Sequence, residues 1–334
     1  MSQPTCAVPG VNESWVNETG RCSSNVTFQA SLYAATYTVV FIPGLLANST
    51  ALWVLCRFVR QKNKAVIFMV NLSMADLAHV LSLPLRIYYY VNHHWPFPYL
   101  LCLLCFYLKY LNMYASICFL ACISLQRCFF LVHPMGARSW RRRYDVAIST
   151  AIWAVVGTIC LLFPLQRCFK PGCCFADLGY KEIKNQRSEA VAGAVAMVTV
   201  AELAGFLAPT FIIGWSTWQI RTSLQQLPGY PSAQEKHRAL RLVYTCAAVF
   251  AICFTPYHLN FFFYSMTKVK AITNPDIRIS STYFHPFTLC LASLSCCLNP
   301  ILYYFTTSEF REHLSRQSSS NTHSRLMSAS SNRE

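Results

Sequence analysis

Seven apolar stretches, each long enough to cross a bilayer as a helix, occupy most of the chain between residues 32 and 305. A hydrocarbon core of about 30 Å requires roughly 20 apolar residues in helical conformation, and every backbone polar group within it must be satisfied internally. The pattern predicts helices near residues 32–58, 65–91, 99–131, 143–166, 190–222, 237–266 and 279–305. The expected fold class is therefore all-α, a seven-transmembrane helix bundle.

Composition agrees with this expectation, because 54% of the 334 residues are hydrophobic and only 12% are charged. A soluble domain would carry about 25% charged residues. The sequence contains no internal repeat, zinc-binding spacing, phosphate-binding glycine loop or catalytic triad. These absences argue against an enzyme, and the lack of inverted repeats argues against a transporter.

Positive charge is concentrated on one side of the predicted bundle. The loops after the first, third and fifth helices and the C-terminal tail hold most of the Lys and Arg residues, so we expect the N-terminus outside the cell and the C-terminus in the cytosol. Glycosylation sequons at Asn12, Asn17 and Asn25 support this orientation at the plasma membrane. The net charge of +15 then reflects topology and attraction to anionic membrane lipid, with no basic soluble domain to bind nucleic acid.

Six of the 17 cysteines are extracellular or lie at the outer membrane edge, where an oxidising compartment allows them to pair. A bridge between Cys102, at the top of the third helix, and Cys174 would hold the loop before the fifth helix across the bundle. Cys168 with Cys173, and Cys6 with Cys22, are further possible pairs. Connectivity does not follow from sequence, so these alternatives stay open.

Asp76 lies in the middle of the second helix, where an ionisable side chain is costly and indicates a functional site. Polar residues that could surround it are Asn48, Asn112, Ser116, Ser295 and Asn299. A carboxylate among neutral oxygens suits a small hard cation such as Na⁺. This is the one ion or cofactor that the sequence suggests. The alternative is an Asp76 that is protonated or bound to water and only links helices.

Arg86 and Lys109 are two cations in the outer half of the second and third helices, and Glu202 is the nearest candidate acid. One interpretation is that both extend to the interface or pair with Glu202. The other is that they converge on the anionic head group of a ligand, a phosphate or carboxylate. We favour the second, because two half-buried cations cost several kcal/mol unless something neutralises them. Aromatic candidates for lining this site are Tyr110, Tyr114, His258 and Phe261, with Tyr110 and His258 able to orient a ligand.

A series of short motifs occurs in order along the chain: Asn48, Leu72-Ser73-Met74-Ala75-Asp76, Cys102, Ser124-Leu125-Gln126-Arg127-Cys128, Trp153, Cys174, Pro209, Phe250 to Tyr257, and Asn299-Pro300-Ile301-Leu302-Tyr303. With these motifs the chain resembles the rhodopsin-like (class A) family of G-protein-coupled receptors. The resemblance implies a short amphipathic helix 8. The expected segments are a glycosylated extracellular N-terminus (1–31), the bundle (32–305), helix 8 (306–316) and a disordered cytoplasmic tail (317–334).

The resemblance also assigns roles in activation. Arg127 would insert toward a heterotrimeric G protein, and Tyr303 would swing inward to meet it. The remaining implied positions are Ile117, Pro209 and Phe250 as the core connector, Phe254 as the toggle aromatic, and Pro256, Asn299 and Pro300 at hinges of the sixth and seventh helices. Arrestin and receptor kinases are further implied partners.

Three stretches narrow the resemblance: residues 81–89, 105–110 and 254–258. They resemble the nucleotide-receptor-like branch, especially purinoceptor-like proteins that respond to lysophosphatidylserine. This implies a receptor for an anionic lysophospholipid that activates G proteins of the twelve/thirteen class. The alternatives are a nucleotide-activated receptor and a binding-only scavenger receptor that does not couple to G proteins.

Three features depart from the family pattern. Gln126 replaces the acid that usually precedes Arg127, and Thr217 replaces a tyrosine two turns after Pro209. No cysteine is present between residues 268 and 283 to pair with an N-terminal cysteine. Without an acid at position 126 the inactive state loses a contact worth about 1 kcal/mol, so we expect raised basal signalling.

Overall fold

The computed structural model describes residues 27–57, 66–165, 174–175, 187–226, 233–268 and 271–306, and among these residues there is no β-strand. The membrane helices are α1 (Thr27–Arg57), α2 (Val66–Asn92), α3 (Tyr99–Val132), α4 (Arg142–Cys160), α5 (187–226), α6 (233–268) and α7 (Pro275–Thr306). Short helices at Pro134–Ser139 and Leu162–Leu165 flank α4. The predicted all-α seven-helix bundle is thus confirmed.

Within the described part of the chain, six helices are long and apolar enough to span a membrane, and α4 is the seventh helix of the bundle. The first turn of α4 carries Arg142, Arg143 and Asp145. Its apolar part therefore starts late and continues past a break at Leu161 into Leu162–Leu165. A charged first turn of this kind is typical of the end of a membrane helix at the interface.

Polar and apolar side chains are distributed as a lipid environment requires. Large apolar side chains point outward, with Val39 67% and Phe211 70% exposed. Asn48, Asp76 and Asn299 are fully buried between helices. Because lipid offers no hydrogen-bond partners, polar groups at membrane depth must find them inside the bundle.

Two of the helices contain a wide turn just before a proline. In α5 the π-helical turn Leu203–Leu207 precedes Pro209, and in α6 the turn Phe250–Phe254 precedes Pro256. Proline lacks an N–H and its ring clashes with the carbonyl four residues earlier, which lies inside each wide turn. The prolines therefore account for both irregularities, and such turns are frequent at functional sites.

Several predicted features lie outside the described residues. They are the N-terminal segment with Asn12, Asn17 and Asn25, the cysteines Cys6, Cys22, Cys168 and Cys173, helix 8 and the cytoplasmic tail. The helix α1 begins at Thr27 rather than near residue 32. No helix breaker separates the two positions, so the helix extends beyond its apolar stretch.

Candidate ligand-binding site

The outer site is organised by a disulfide. Cys102, near the start of α3, is bonded to Cys174, with their Cα atoms 5.7 Å apart. This bond fixes the neighbouring Phe175, whose ring centroid lies 4.8 Å from the guanidinium carbon of Arg86. The pairing indicated by the sequence is therefore present, and it places an aromatic ring over the buried cation.

Arg86 is held by groups other than a carboxylate in the described part of the chain. Its side chain is 1% exposed, and its Nη2 donates a hydrogen bond to the backbone carbonyl of Cys105 on α3. Among the described residues, the buried Nε atom has no hydrogen-bond partner and no carboxylate forms an ion pair with Arg86. A full positive charge is thus desolvated against a carbonyl and the face of Phe175, which is costly unless an anion binds.

Lys109 lies on the same face of α3 as the carbonyl that Arg86 contacts. Cys105 and Lys109 are four residues apart in a helix, so they are neighbours one turn apart. The Lys109 side chain is half-buried, with its Nζ 5.8 Å from the ring centroid of Tyr110. Both cations lie within electrostatic range of the buried His79 on α2. The two positive charges therefore occupy the same part of the bundle.

Glu202 is engaged by a different residue. Its Oε1 lies 3.3 Å from Nδ1 of His258, so this acid bridges α5 to α6. The interpretation in which Glu202 neutralises the cations is wrong for Arg86, because Arg86 and Glu202 form no ion pair. Sequence spacing cannot reveal this choice, since it depends on how α5 and α6 are rotated toward one another.

His258 and the predicted aromatic residues pack together as an aromatic floor inside the bundle. The His258 ring lies parallel to Phe206 at 5.0 Å and edge-on to Tyr114 at 5.8 Å. Phe261 stacks on Tyr257 at 5.2 Å. The predicted lining residues Tyr110, Tyr114, His258 and Phe261 are all buried. Sequence reasoning missed Phe175 and Phe206, although Phe175 adjoins the disulfide cysteine Cys174.

Gly205 allows this floor to form. A Cβ atom at this position would lie 2.5 Å from Cε1 of Tyr114, closer than side-chain carbons ever approach. The glycine lies in the wide turn of α5, so α5 can approach α3 there. This is a close-packing requirement that the sequence signals only by the glycine itself.

Phe206 also links this floor to Phe250, one of the residues predicted to form the core connector. The Phe206 ring is also parallel to Phe250 at 5.9 Å, so the wide turns of α5 and α6 are in direct contact. Phe250 meets Phe254 edge-on at 6.2 Å, and Ile117 is fully buried in the same core. The remaining predicted positions lie on these helices: Pro209 on α5, Pro256 on α6, and Asn299, Pro300 and Tyr303 on α7.

The polar residues around Asp76 are largely brought together. Asn299 donates from Nδ2 to Asp76 Oδ2 at 2.9 Å, and the Ser116 hydroxyl lies 3.5 Å from Oδ1. Ser116 also lies 3.4 Å from Asn112 Oδ1. The Ser295 hydroxyl and Asn299 Oδ1 are buried with no hydrogen-bond partner among the described residues. Asn299 and Ser116 thus contact the carboxylate directly, and among the described residues no group of three or more His, Cys, Asp or Glu side chains could hold a metal ion.

Asn48 has a structural contact instead. Its Nδ2 donates to the carbonyl of Cys296 at 2.7 Å and to that of Gly44 at 2.9 Å. The amide nitrogen therefore ties α1 to α7. The Sγ atom of Cys296 also lies 3.5 Å from Asn112 Nδ2.

The inner end contains an acid that sequence reasoning missed. Asp145 on α4 is 1% exposed, and its Oδ1 accepts hydrogen bonds from Gln126 Nε2 at 2.7 Å and Trp140 Nε1 at 2.8 Å. Arg127, next to Gln126, keeps Nε and Nη2 buried without a partner among the described residues. Thr217 donates to the carbonyl of Ile213 at 2.7 Å. The acid absent at position 126 is thus present on α4, but it does not pair with Arg127.

Comparisons with known proteins agree with this architecture. The model of the 7 transmembrane receptor (rhodopsin family) matches residues 47–303. A human protein named as a purinoceptor is 65% identical, with the alignment covering 92% of this chain and 90% of that protein. The mouse protein named "Probable G-protein coupled receptor 174" is 46% identical over 88% of each chain. Human lysophosphatidic acid receptor 6 is 30% identical over 86% of this chain and 83% of its own.

The family match extends from α1 to α7 and includes both ends of the bundle. Membership makes the chain a multi-pass membrane receptor rather than an enzyme, with a ligand and a G protein as its partners. The protein therefore belongs to the rhodopsin family of seven-transmembrane, G-protein-coupled receptors.

Proposed function

We propose that this protein is a plasma-membrane receptor for an anionic lysophospholipid of the lysophosphatidylserine type, and that it activates G proteins of the twelve/thirteen class. In this proposal the N-terminus is extracellular and glycosylated. One observation carries the ligand assignment: Arg86 is almost fully buried beneath Phe175 without a carboxylate partner among the described residues. A ligand phosphate or carboxylate supplies the negative charge that would otherwise be missing opposite Arg86.

The geometry favours a head group with few charges and an apolar body. Arg86 and Lys109 both act electrostatically on His79, and two cations suit one phosphate with a neighbouring carboxylate. Below and beside them the lining is aromatic, with Tyr114 and Phe261 buried in the same outer half. An acyl chain gains free energy by packing against such side chains. Human lysophosphatidic acid receptor 6 is a relative whose name refers to a ligand of this chemistry.

A nucleotide is the second candidate, because one relative is named as a purinoceptor. Several phosphates would require additional cations at the outer end. Arg278 is exposed there, and Lys268 lies with its Nζ 5.2 Å from the ring centroid of Tyr264. These side chains lie near the ends of α6 and α7, so they support phosphate binding less well than the buried pair does.

In the proposed mechanism, ligand binding selects a state in which α6 pivots at Pro256. The Glu202–His258 contact and the Phe206–Phe250 stack link α5 to α6. Repacking of these contacts would open the inner end and expose Arg127 to the G protein. A sodium ion among Asp76, Ser116, Ser295 and Asn299 would stabilise the inactive arrangement, and arrestin and receptor kinases would act on the cytoplasmic side.

The test is G-protein activation in cells that express the chain, with lysophosphatidylserine, its deacylated form and a nucleotide panel as ligands. We expect a response to the intact lipid only. Arg86→Gln and Lys109→Gln should each weaken it at equal surface expression, while Arg278→Gln, at an exposed position, serves as the control. A nucleotide response that depends on Arg278 would overturn the lipid assignment.

A scavenger role predicts a different result. In that case the cells would deplete the lipid from the medium without G-protein activation, and Arg86→Gln would abolish depletion. Depletion without signalling would therefore retain the binding site and contradict the coupling.

A further inference from the structure

Three polar side chains in the outer half of α1 and α2 are buried with an atom that has no hydrogen-bond partner among the described residues. These atoms are the hydroxyl of Tyr37 on α1, Nδ1 of His79 on α2 and Nε of Arg86 on α2. The three residues are 0%, 1% and 1% exposed. Buried polar atoms nearly always have a partner, so three such atoms together require a physical explanation.

The three side chains form one cluster. The Tyr37 hydroxyl interacts electrostatically with Arg86 and with Ser293 on α7, without forming a complete hydrogen bond to either. His79 is within electrostatic range of Arg86 and Lys109. An O–H, an imidazole nitrogen and a guanidinium N–H can all donate to a common acceptor. The cluster therefore offers up to three donors from two helices to a single bound group.

The charge of this cluster is positive. Arg86 forms no ion pair with any carboxylate in the described part of the chain, and Lys109 adds a second cation nearby. The nearest acid on α2 is Asp76, ten residues before Arg86, which corresponds to about 15 Å along the helix. Asp76 accepts a hydrogen bond from Asn299 instead. A buried, uncompensated positive charge of this kind favours binding of an anion.

A continuous series of aromatic rings covers the cluster. Tyr33 stacks on Tyr37 at 5.7 Å and on Tyr90 at 4.8 Å. Tyr90 in turn stacks on Phe175 at 5.8 Å, and Phe175 lies 4.8 Å from the guanidinium carbon of Arg86. Removing a multiply charged anion from water costs more than removing a monovalent one. The enclosed position thus suits a small monovalent anion.

We propose that in the ligand-free receptor a chloride ion binds between Tyr37 and Arg86, with His79 as the third polar group around it. Chloride is the abundant small monovalent anion outside the cell, and it accepts hydrogen bonds from N–H and O–H donors. In this arrangement it neutralises Arg86 until a ligand arrives. The anionic head group of the ligand then displaces the chloride, a step that rests on the proposed function.

The first test is thermal unfolding of the purified, ligand-free full chain in sodium chloride and in sodium gluconate at equal ionic strength. Raising chloride from roughly 5 to 150 mM should raise the melting temperature by about 3 °C, because an ion that binds only the folded state stabilises it. Bromide should act like chloride, and sulfate should act like gluconate. Equal melting temperatures in chloride and gluconate would overturn the proposal.

Substitutions locate the ion. Tyr37→Phe removes the hydroxyl but keeps the ring in its stack, so most of the chloride dependence should be lost. Tyr33→Phe is the matched control, because it removes the same atom from the neighbouring ring and Arg86 is not among the groups that act on its hydroxyl. His79→Phe should also weaken the dependence. A chloride effect that persists in both Tyr37→Phe and His79→Phe, or that is lost equally in Tyr33→Phe, would contradict the site.

Displacement by the head group is measured separately, as binding of lysophosphatidylserine to the parent receptor. Affinity should be on the order of tenfold higher in gluconate than in chloride, because the bound ion must leave first. Equal lipid affinity in both salts would contradict displacement. A receptor that binds no lysophospholipid in either salt would contradict the proposed ligand, whereas the melting temperatures would still decide whether the anion site exists.

Discussion

The outer and inner ends of the bundle each contain an arginine with a buried nitrogen and no carboxylate partner among the described residues, and in both regions a nearby acid binds a different residue. At the outer end Glu202 contacts His258 while Arg86 donates to a carbonyl. At the inner end Asp145 contacts Gln126, and Arg127 keeps two buried nitrogens without a described partner. A buried cation without a carboxylate partner is costly, and in the proposed function each arginine binds an external partner, the ligand at Arg86 and the G protein at Arg127.

The two ends differ in how firmly the arginine is held. Phe175, fixed by the disulfide at Cys174, covers Arg86, and the Cys105 carbonyl orients its guanidinium. In the part of the chain that the structure describes, Arg127 has no comparable contact for its Nε and Nη2 atoms. A rigid site suits a small anionic ligand, whereas a less constrained arginine suits a partner that enters after the helices move. In the proposed function this difference matches a ligand site at Arg86 and a coupling site at Arg127.

The largest expected effect is at Arg86. Arg86→Gln should reduce ligand potency on the order of 100-fold, because a buried charge-assisted contact to the head group is lost. The potency of Arg86→Lys should lie between those of the parent and Arg86→Gln, since lysine keeps the charge but not the planar fork of donors. Concentration–response curves at equal surface expression measure both. Equal potency of the glutamine variant and the parent would remove Arg86 from the ligand site.

Gly205 tests the link between the two ends. Gly205→Ala should cost about 1–3 kcal/mol by overpacking against Tyr114. Gly214→Ala, on the same helix, is the matched control, because nothing lies within 4 Å of its added Cβ. We expect the alanine at 214 to be neutral or slightly stabilising. Thermal unfolding in detergent distinguishes them, and similar melting temperatures would show that α5 does not depend on this close approach.

Gln126 tests the inner end. Gln126→Asp alone places a carboxylate opposite Asp145 and loses the 2.7 Å hydrogen bond, so it should destabilise the receptor. Combining it with Asp145→Asn moves the acid next to Arg127. We expect basal signalling per surface receptor to fall about fivefold in the double variant, corresponding to about 1 kcal/mol. Unchanged basal signalling would show that the missing acid does not set the inactive state.

Asp76 is a buried acid between the two arginines, and its substitution tests the proposed sodium site. In the proposal it holds sodium together with neutral oxygens, so raising sodium at constant ionic strength should lower agonist affinity by about two- to threefold. Asp76→Asn should remove that dependence. Ligand binding in sodium and in choline chloride measures the effect, and sodium dependence that persists in the variant would place the ion elsewhere.

The sequence alone was sufficient for the features that depend on composition along one helix. Apolar lengths predicted the bundle, and ionisable residues at membrane depth singled out Asp76, Arg86 and Lys109 as candidates. Sequence analysis missed the partners that depend on how neighbouring helices are rotated and spaced. Glu202 was considered as a partner of the cations and instead contacts His258, and Asp145 was not recognised as the partner of Gln126.

The wide turns of α5 and α6 show the same limit. Pro209 and Pro256 were predicted as a core-connector position and a hinge, but the contact between Phe206 and Phe250 requires both helices in place. Phe175 could have been suspected from its neighbour Cys174, since a disulfide fixes the adjacent residue. Its position over Arg86 needed the structure.

Arg86 does not pair with Glu202, and in the proposed function a ligand phosphate binds to Arg86 instead. The most direct measurement is a cryo-electron microscopy map of the receptor with lysophosphatidylserine bound. We predict head-group density with a phosphate oxygen about 3 Å from the Arg86 guanidinium and Lys109 beside it. A phosphate bound at Arg278 and Lys268, with Arg86 still bonded to the Cys105 carbonyl and to no ligand atom, would contradict the account.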